Sequence, residues 1–223
     1  MMDGESIGET ILSGIQSANH DYETCSNGWW LTDSGAKGPI VLSIAERLCA
    51  MRGAGESVVL ELPYRYILEW SGAGPARGRP PQPLSGRGRA DIVLLDNDGR
   101  PACVIDVERV WDRVRCFSSL TRLRDLVIQS HDRENGSLRQ GFLTLMLAAS
   151  ATAERSAQQA IEREAARIGR LVRSEFDGRG LQVRCRSGRV RHASRGSPDA
   201  SRAGDWAHAG FCVALSTENL GSP

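Results

Sequence analysis

Arg89-Ala90-Asp91-Ile92-Val93-Leu94-Leu95, then Asp96-Asn97-Asp98-Gly99-Arg100-Pro101, then Ala102-Cys103-Val104-Ile105-Asp106-Val107-Glu108-Arg109 is the stretch that decides the fold. Two short apolar runs flank Asp-Asn-Asp-Gly, strong turn chemistry, so the stretch reads as a β-hairpin. Each run is apolar at odd and even positions alike, which marks central strands covered by helices on both sides. Asp91, Asp106 and Glu108 interrupt those runs, and acids are rare in such strands. Side chains alternate along a strand, so Asp106 and Glu108 share a face, and Asp91 joins them if it pairs across from residue 106 or 104. Carboxylates converging in a low-dielectric wall repel one another, which predicts raised pKa values or a bound cation, and an all-oxygen ligand set suits Mg²⁺ or Mn²⁺. For any single acid, pairing with Arg89 or Arg109 at a strand end is the blander and better account; for three on one face it is not.

Outward from the hairpin the chain alternates elements. A helix opens at Pro39, carries Ile40, Val41, Ile44, Ala45, Leu48 and Met51 at helical spacing and stops at Gly53. Ser57 to Trp70 reads as a strand or a strand pair broken at Pro63. Leu120, Leu123, Leu126 and Val127 give a helix, Gly141 to Ala149 a buried strand, and Ile161, Ala165, Ile168, Val172 and Phe176 a long amphipathic helix. Leu181, Val183 and Cys185 alternate with polar residues as a half-exposed strand, and Gly210 to Leu215 supplies a last apolar one. The order α-β-β-β-α-β-α predicts an α/β fold, a central mixed β-sheet flanked by helices. Ile7 to Ile15 reads as a short amphipathic helix inside an irregular N-terminal extension, residues 1–38. Residues 39–178 form the core, interrupted by a segment 71–88 that holds five Gly, four Pro and three Arg and reads as a mobile loop. Residues 179–223 form an arginine-rich C-terminal region.

The chain has 223 residues, 40% of them hydrophobic, enough for a real core. No apolar run approaches the ~20 residues of a membrane helix, and the acidic amino terminus is unlike a signal peptide, so a cytoplasmic protein is expected. A net charge of +1 hides segregation: residues 1–63 sum to −6, residues 64–90 to +4 and residues 179–223 to +4. Of 28 basic residues only Lys37 is a lysine. GC-rich coding explains the Arg excess well; it explains the clustering less well. Six cysteines lack zinc spacing, and Cys49, Cys103 and Cys212 read as buried thiols. His20, His131, His192 and His208 read as surface residues, so no nucleophilic triad can be assembled. No P-loop is present in 71–88.

The hairpin resembles that of the PD-(D/E)xK, or restriction-endonuclease-like, nuclease superfamily, whose core runs α-β-β-β-α-β. The likeness covers about Pro39 to Ala149. It implies that Asp91 is the metal-binding acid, that Asp106 is the acid of the second half-motif with the Val107 carbonyl as a further ligand, and that Glu46 is a helix carboxylate completing the site. One departure stands out: Glu108 occupies the place of the motif lysine, and Lys37 lies before the first core helix. Glu108 then acts as a metal ligand or orients the water. The resemblance implies metal-dependent hydrolysis of phosphodiester bonds in DNA, or RNA, by Mg²⁺ or Mn²⁺ chemistry. Arg77, Arg79, Arg87, Arg89, Arg109, Arg113, Arg184, Arg186, Arg189 and Arg191 are the expected nucleic-acid-binding residues. A catalytically inactive nuclease fold that binds nucleic acid or a protein partner is the alternative, and a small-nucleotide phosphohydrolase a weaker third. A homodimer or larger assembly is left open.

Overall fold

A computed structural model describes residues 3–72, 74, 88–133, 135–178, 180–192 and 206–217. The helices are α1 (Gly4–Cys25), α2 (Leu31–Ser34), α3 (Gly38–Met51), α4 (Tyr64–Trp70), α5 (Arg113–His131) and α6 (Ala157–Phe176). The strands are β1 (Ser57–Pro63), β2 (Arg89–Leu95), β3 (Pro101–Val107), β4 (Gln140–Ser150), β5 (Leu181–Ser187), β6 (Arg191–His192) and β7 (Trp206–Thr217). They form one mixed seven-stranded sheet in the order β1-β2-β3-β4-β7-β5, with β6 pairing β7. Only β3 and β4 run parallel, joined through α5; the other pairs are antiparallel.

The expected hairpin is present and its turn chemistry is explicit. The Asp96 carboxylate accepts from the amides of Asp98 and Arg100, and Gly99 takes φ 74°, a backbone that other residues rarely adopt. Both strands are buried on both faces. Ile92 and Ile105 belong to the apolar layer that also holds Ile11, Ile44 and Phe142, while Val93 and Val104 belong to the layer on the other face, which holds Ile67, Leu123 and Ile168. This two-sided burial is what the continuous apolar runs predict.

Several features differ from expectation. The N-terminal helix spans Gly4–Cys25 and its Ile7, Ile11, Ile15 and Ala18 stripe closes one face of the sheet, so residues 1–38 contribute to the core. Tyr64–Trp70 is a helix, not a strand: Pro63 offers no amide to continue a ladder, and Tyr64, Ile67 and Leu68 sit at helical spacing on one buried face. The β-favouring letters of that segment yield to that packing. Cys49 is exposed on the outer face of α3, whereas Cys103, Cys116 and Cys212 are buried; all six cysteines are free.

Phe142 is fully buried beneath α1, whereas Val114, at 81% exposure, touches little. Replacing Phe142 with Ala is expected to lower unfolding stability in urea by roughly 3–5 kcal/mol, and Val114 with Ala by less than about 0.5 kcal/mol.

Candidate functional site

The pairing Ile92 with Ile105 and Val93 with Val104 carries Asp91 opposite Asp106, on one face of the sheet. Both acids are about 95% buried. Opposed at this spacing and out of water, neither can stay ionised without a partner. Asp91 receives two. Its Oδ2 accepts from the Val107 amide at 2.6 Å, and its Oδ1 meets Lys37 Nζ at 2.7 Å. The regular β2–β3 ladder ends at Ile92 and Ile105, and the Asp91 carboxylate caps the next amide beyond it. The Val107 amide, rather than its carbonyl, is therefore the group turned to Asp91.

Asp106 is held by Tyr64, whose hydroxyl lies 2.8 and 2.7 Å from the two carboxylate oxygens, and by Arg122 at 3.7 Å. Burial pushes the Asp106 carboxyl up to about 7; the Tyr64 hydrogen bond pulls it down, the Asp91 charge adds to the rise, and Arg122 and Lys37 oppose it. Burial also raises the Tyr64 hydroxyl well above the usual phenol range, so it stays a donor. Arg122, from α5, lies with its guanidinium carbon 5.5 Å from the Tyr64 ring centre and donates to Ser119, which in turn donates to Glu108 Oε1 at 3.1 Å. Its Nε is buried and, among the described residues, has no hydrogen-bond partner. A chain of side chains thus links Glu108, Ser119, Arg122, Tyr64 and Asp106 along the face that α5 covers.

Lys37, Tyr64 and Arg122 are the residues that sequence reasoning missed. Lys37 precedes α3, but the α2–α3 connection brings it to the open end of β2. Its singularity among 28 basic residues was the available signal. Tyr64 lies in the Ser57 to Trp70 stretch, whose composition favours a strand, and nothing in the local sequence sets Arg122 apart from the other arginines.

Several expected members lie elsewhere. Glu46 is exposed in the groove between α1 and α3, beside Asp21 and Tyr22, and does not join the carboxylates, because the face of α3 that meets β2 is the apolar one. Arg184 is exposed and Arg186 pairs with Glu5 and Glu9 of α1. Both stand on β5, three strands beyond β3, roughly 14 Å at ~4.8 Å per strand, so they do not flank the site. Arg189 and Arg191 are exposed farther along, and Arg191 lines a recess with His20, His192 and His208. Arg113 stacks on Phe117 at 5.4 Å. Arg89 donates to the Glu61 carbonyl, and the Arg109 guanidinium lies against Gly35, next to the Lys37 connection. Arg77, Arg79 and Arg87 fall outside the described residues, as does nearly all of the expected loop 71–88. His208 is buried, not on the surface: it sits on a strand whose neighbours are apolar, and its Nε2 meets Asn19 Nδ2 at 2.9 Å.

Among the described residues no cluster of three or more His, Cys, Asp or Glu side chains is arranged as a metal cage. No helix among them is long and apolar enough to cross a membrane. No protein-family model, curated protein or solved structure matches the chain.

Asp106 and His208 give opposite pH signatures. An acid whose folded pKa, about 7, exceeds its ordinary value of 3.8 contributes stability that is full below about 4 and is lost as pH rises through about 7. His208, pulled by burial from 6.5 to about 4, contributes stability that is full above about 6.5 and is lost as pH falls through about 4. Melting temperature between pH 4 and 7 is therefore expected to rise with pH in Asp106→Asn and to fall with pH in His208→Gln, with the wild type between them.

Proposed function

We propose that the chain is a metal-dependent nuclease that hydrolyses phosphodiester bonds in DNA, or in RNA, at the site formed by Asp91, Asp106 and Lys37. The observation that carries this reading is the ammonium of the chain's only lysine, 2.7 Å from one of two opposed, buried carboxylates. Two acids and a lysine are the charge set of the PD-(D/E)xK active site, and the lysine here arrives from the segment before α3 instead of from position 108. The element order α3-β1-β2-β3-α5-β4 supports the same reading, because it resembles the restriction-endonuclease-like core with α4 inserted.

The donor set fits Mg²⁺ or Mn²⁺ in a particular way. Mg²⁺ keeps several waters and is commonly held by one or two carboxylates together with substrate phosphate, so the pair Asp91 and Asp106 suffices without an all-protein cage. A bound divalent ion would polarise the phosphodiester and lower the pKa of a coordinated water. The chain's residues do the rest. Asp91 keeps the Val107 amide on Oδ2, so its Oδ1 is freed once Lys37 moves off it, and Asp106 would turn one of the two oxygens that share the Tyr64 hydroxyl to the ion and leave Tyr64 the other. Lys37, released from Asp91, offers three donors to the charge that develops on phosphorus oxygens or to the attacking water. Glu108, fixed by Ser119, lines the same face and can take the proton of that water. Arg122 adds a fixed positive charge, and Arg109 lies at the edge where an incoming backbone would pass.

A second reading, the inactive nuclease fold acting as a nucleic-acid-binding or protein-interaction subunit, is favoured by one observation. The Tyr64 hydroxyl satisfies both Asp106 oxygens, so that acid is content without metal.

Incubation of the purified protein with mixed DNA and RNA substrates should give cleavage with Mg²⁺ or Mn²⁺ and none with chelator. Lys37→Met is expected to reduce the rate by roughly 10²–10³-fold, the scale for losing one transition-state donor. Asp91→Asn should abolish both cleavage and the metal-induced rise in melting temperature. Binding that weakens steeply with salt, with neither cleavage nor thermal shift, would move the assignment to the inactive fold.

A further inference from the structure

A lysine side chain that is 41% exposed gives up rotamer entropy to rest on one carboxylate, so its backbone must be held for the contact to persist. Lys37 follows Leu31 by only six positions, and Leu31 is where the chain is anchored. The anchor is Asn19. It is wholly buried on α1, in the stripe that otherwise presents Ile11, Ile15 and Ala18 to the core. Its Oδ1 accepts from the Leu31 amide at 3.0 Å, and its Nδ2 meets His208 Nε2 at 2.9 Å. The Trp30 ring closes the cluster edge-on to His208, with centroids 4.8 Å apart. An amide and an imidazole inside an apolar layer cost desolvation that an aliphatic pair would avoid, and what they supply in return is a fixed position.

From that anchor the path to Lys37 is short and constrained. The Asp33 carboxylate accepts from the Trp30 amide and the Gly35 amide donates to the Leu31 carbonyl, closing α2 as a single turn. Gly35 reverses the chain at φ 71°, and the Arg109 guanidinium occupies the space beside it. The Lys37 carbonyl then accepts from the amides of Ile40 and Val41 as the cap of α3. Lys37 is thereby fixed between a turn pinned to β7 and a helix packed on the sheet. Neutral His208 suits this arrangement, because its Nε2 accepts from the Asn19 amide, whereas an imidazolium would set donor against donor.

We propose that Asn19 and His208 are positioning residues: the buried pair fixes the α2 turn, and the α2 turn sets Lys37 on Asp91. The proposal rests on the reading of Lys37 as the cation of the site, but it can be tested without substrate. Because Lys37 is the only lysine, selective labelling with [¹³C]lysine gives one Cε signal. In the folded wild-type chain its two attached protons are expected to be inequivalent, as for a side chain held in one rotamer. In Asn19→Ala and His208→Leu they should collapse to one averaged signal, and the Leu31 amide should lose its protection from hydrogen exchange. His208→Gln, whose side-chain oxygen can accept from Asn19, should restore both. Two glycines inserted after Ser34 leave the Asn19 cluster intact and lengthen the path. Leu31 should then stay protected while the lysine signal averages, which decides the matter even where Asn19→Ala fails to fold.

An averaged lysine signal in the wild type overturns the proposal, as does an unchanged signal in folded Asn19→Ala or in the insertion variant. A held lysine in a chain that cleaves no nucleic acid leaves the positioning pair standing and removes the nuclease reading. Cleavage by a chain whose lysine is free does the reverse.

Discussion

Two carboxylates face each other on a sheet that helices cover on both sides, and each must find a partner or give up its charge. Asp91 takes an ammonium and a backbone amide as its partners. Asp106, deeper under α5, is met by a phenol and, at longer range, a guanidinium, and burial carries its pKa to about 7. The asymmetry follows from place. Asp91 lies at the open end of β2, where a lysine can reach it from outside, whereas Asp106 lies under the helical layer, where only side chains from α4 and α5 can.

That requirement organises the elements around it. Tyr64 reaches Asp106 because the chain turns at Pro63 from strand into helix, which puts the first residue of α4 at the end of the sheet. Arg122 reaches the same place from the middle of α5, with its head shared among Tyr64, Ser119 and Asp106. Glu61, level with Asp91 on the neighbouring edge strand, holds a left-handed backbone, φ 55°, a conformation that costs of order 1–3 kcal/mol for a residue other than glycine. Its carbonyl is the acceptor for Arg89, so the irregular backbone turns an oxygen toward the outside of the hairpin.

On the opposite face a second buried polar group, Asn19 with His208, ties α1 to β7 and to the short α2 turn. The two polar clusters are not independent in the chain, because Lys37 belongs to one and is only six residues from the anchor of the other. Polar groups are scarce in both apolar layers, and the described ones, including Thr144 donating to the Phe211 carbonyl, are nearly all partnered. The core is therefore specific as well as apolar.

What the sequence determined by itself was local and periodic. The Asp96-Asn97-Asp98-Gly99 turn, the doubly buried strands around it, the apolar stripe of α6 and the shared face of Asp91, Asp106 and Glu108 follow from pleat, turn chemistry and helical spacing. Those are short-range constraints, written in adjacent letters. Tertiary structure decided the rest. Tyr64–Trp70 became a helix because packing against the sheet outweighed β propensity, a weak and context-dependent preference. Glu46 turned away because the opposite face of its helix was the apolar one. Lys37 entered the site, and Arg184 and Arg186 stayed far from it, because strand order and the path of a twelve-residue connection, residues 26–37, set distances that no spacing along the chain encodes.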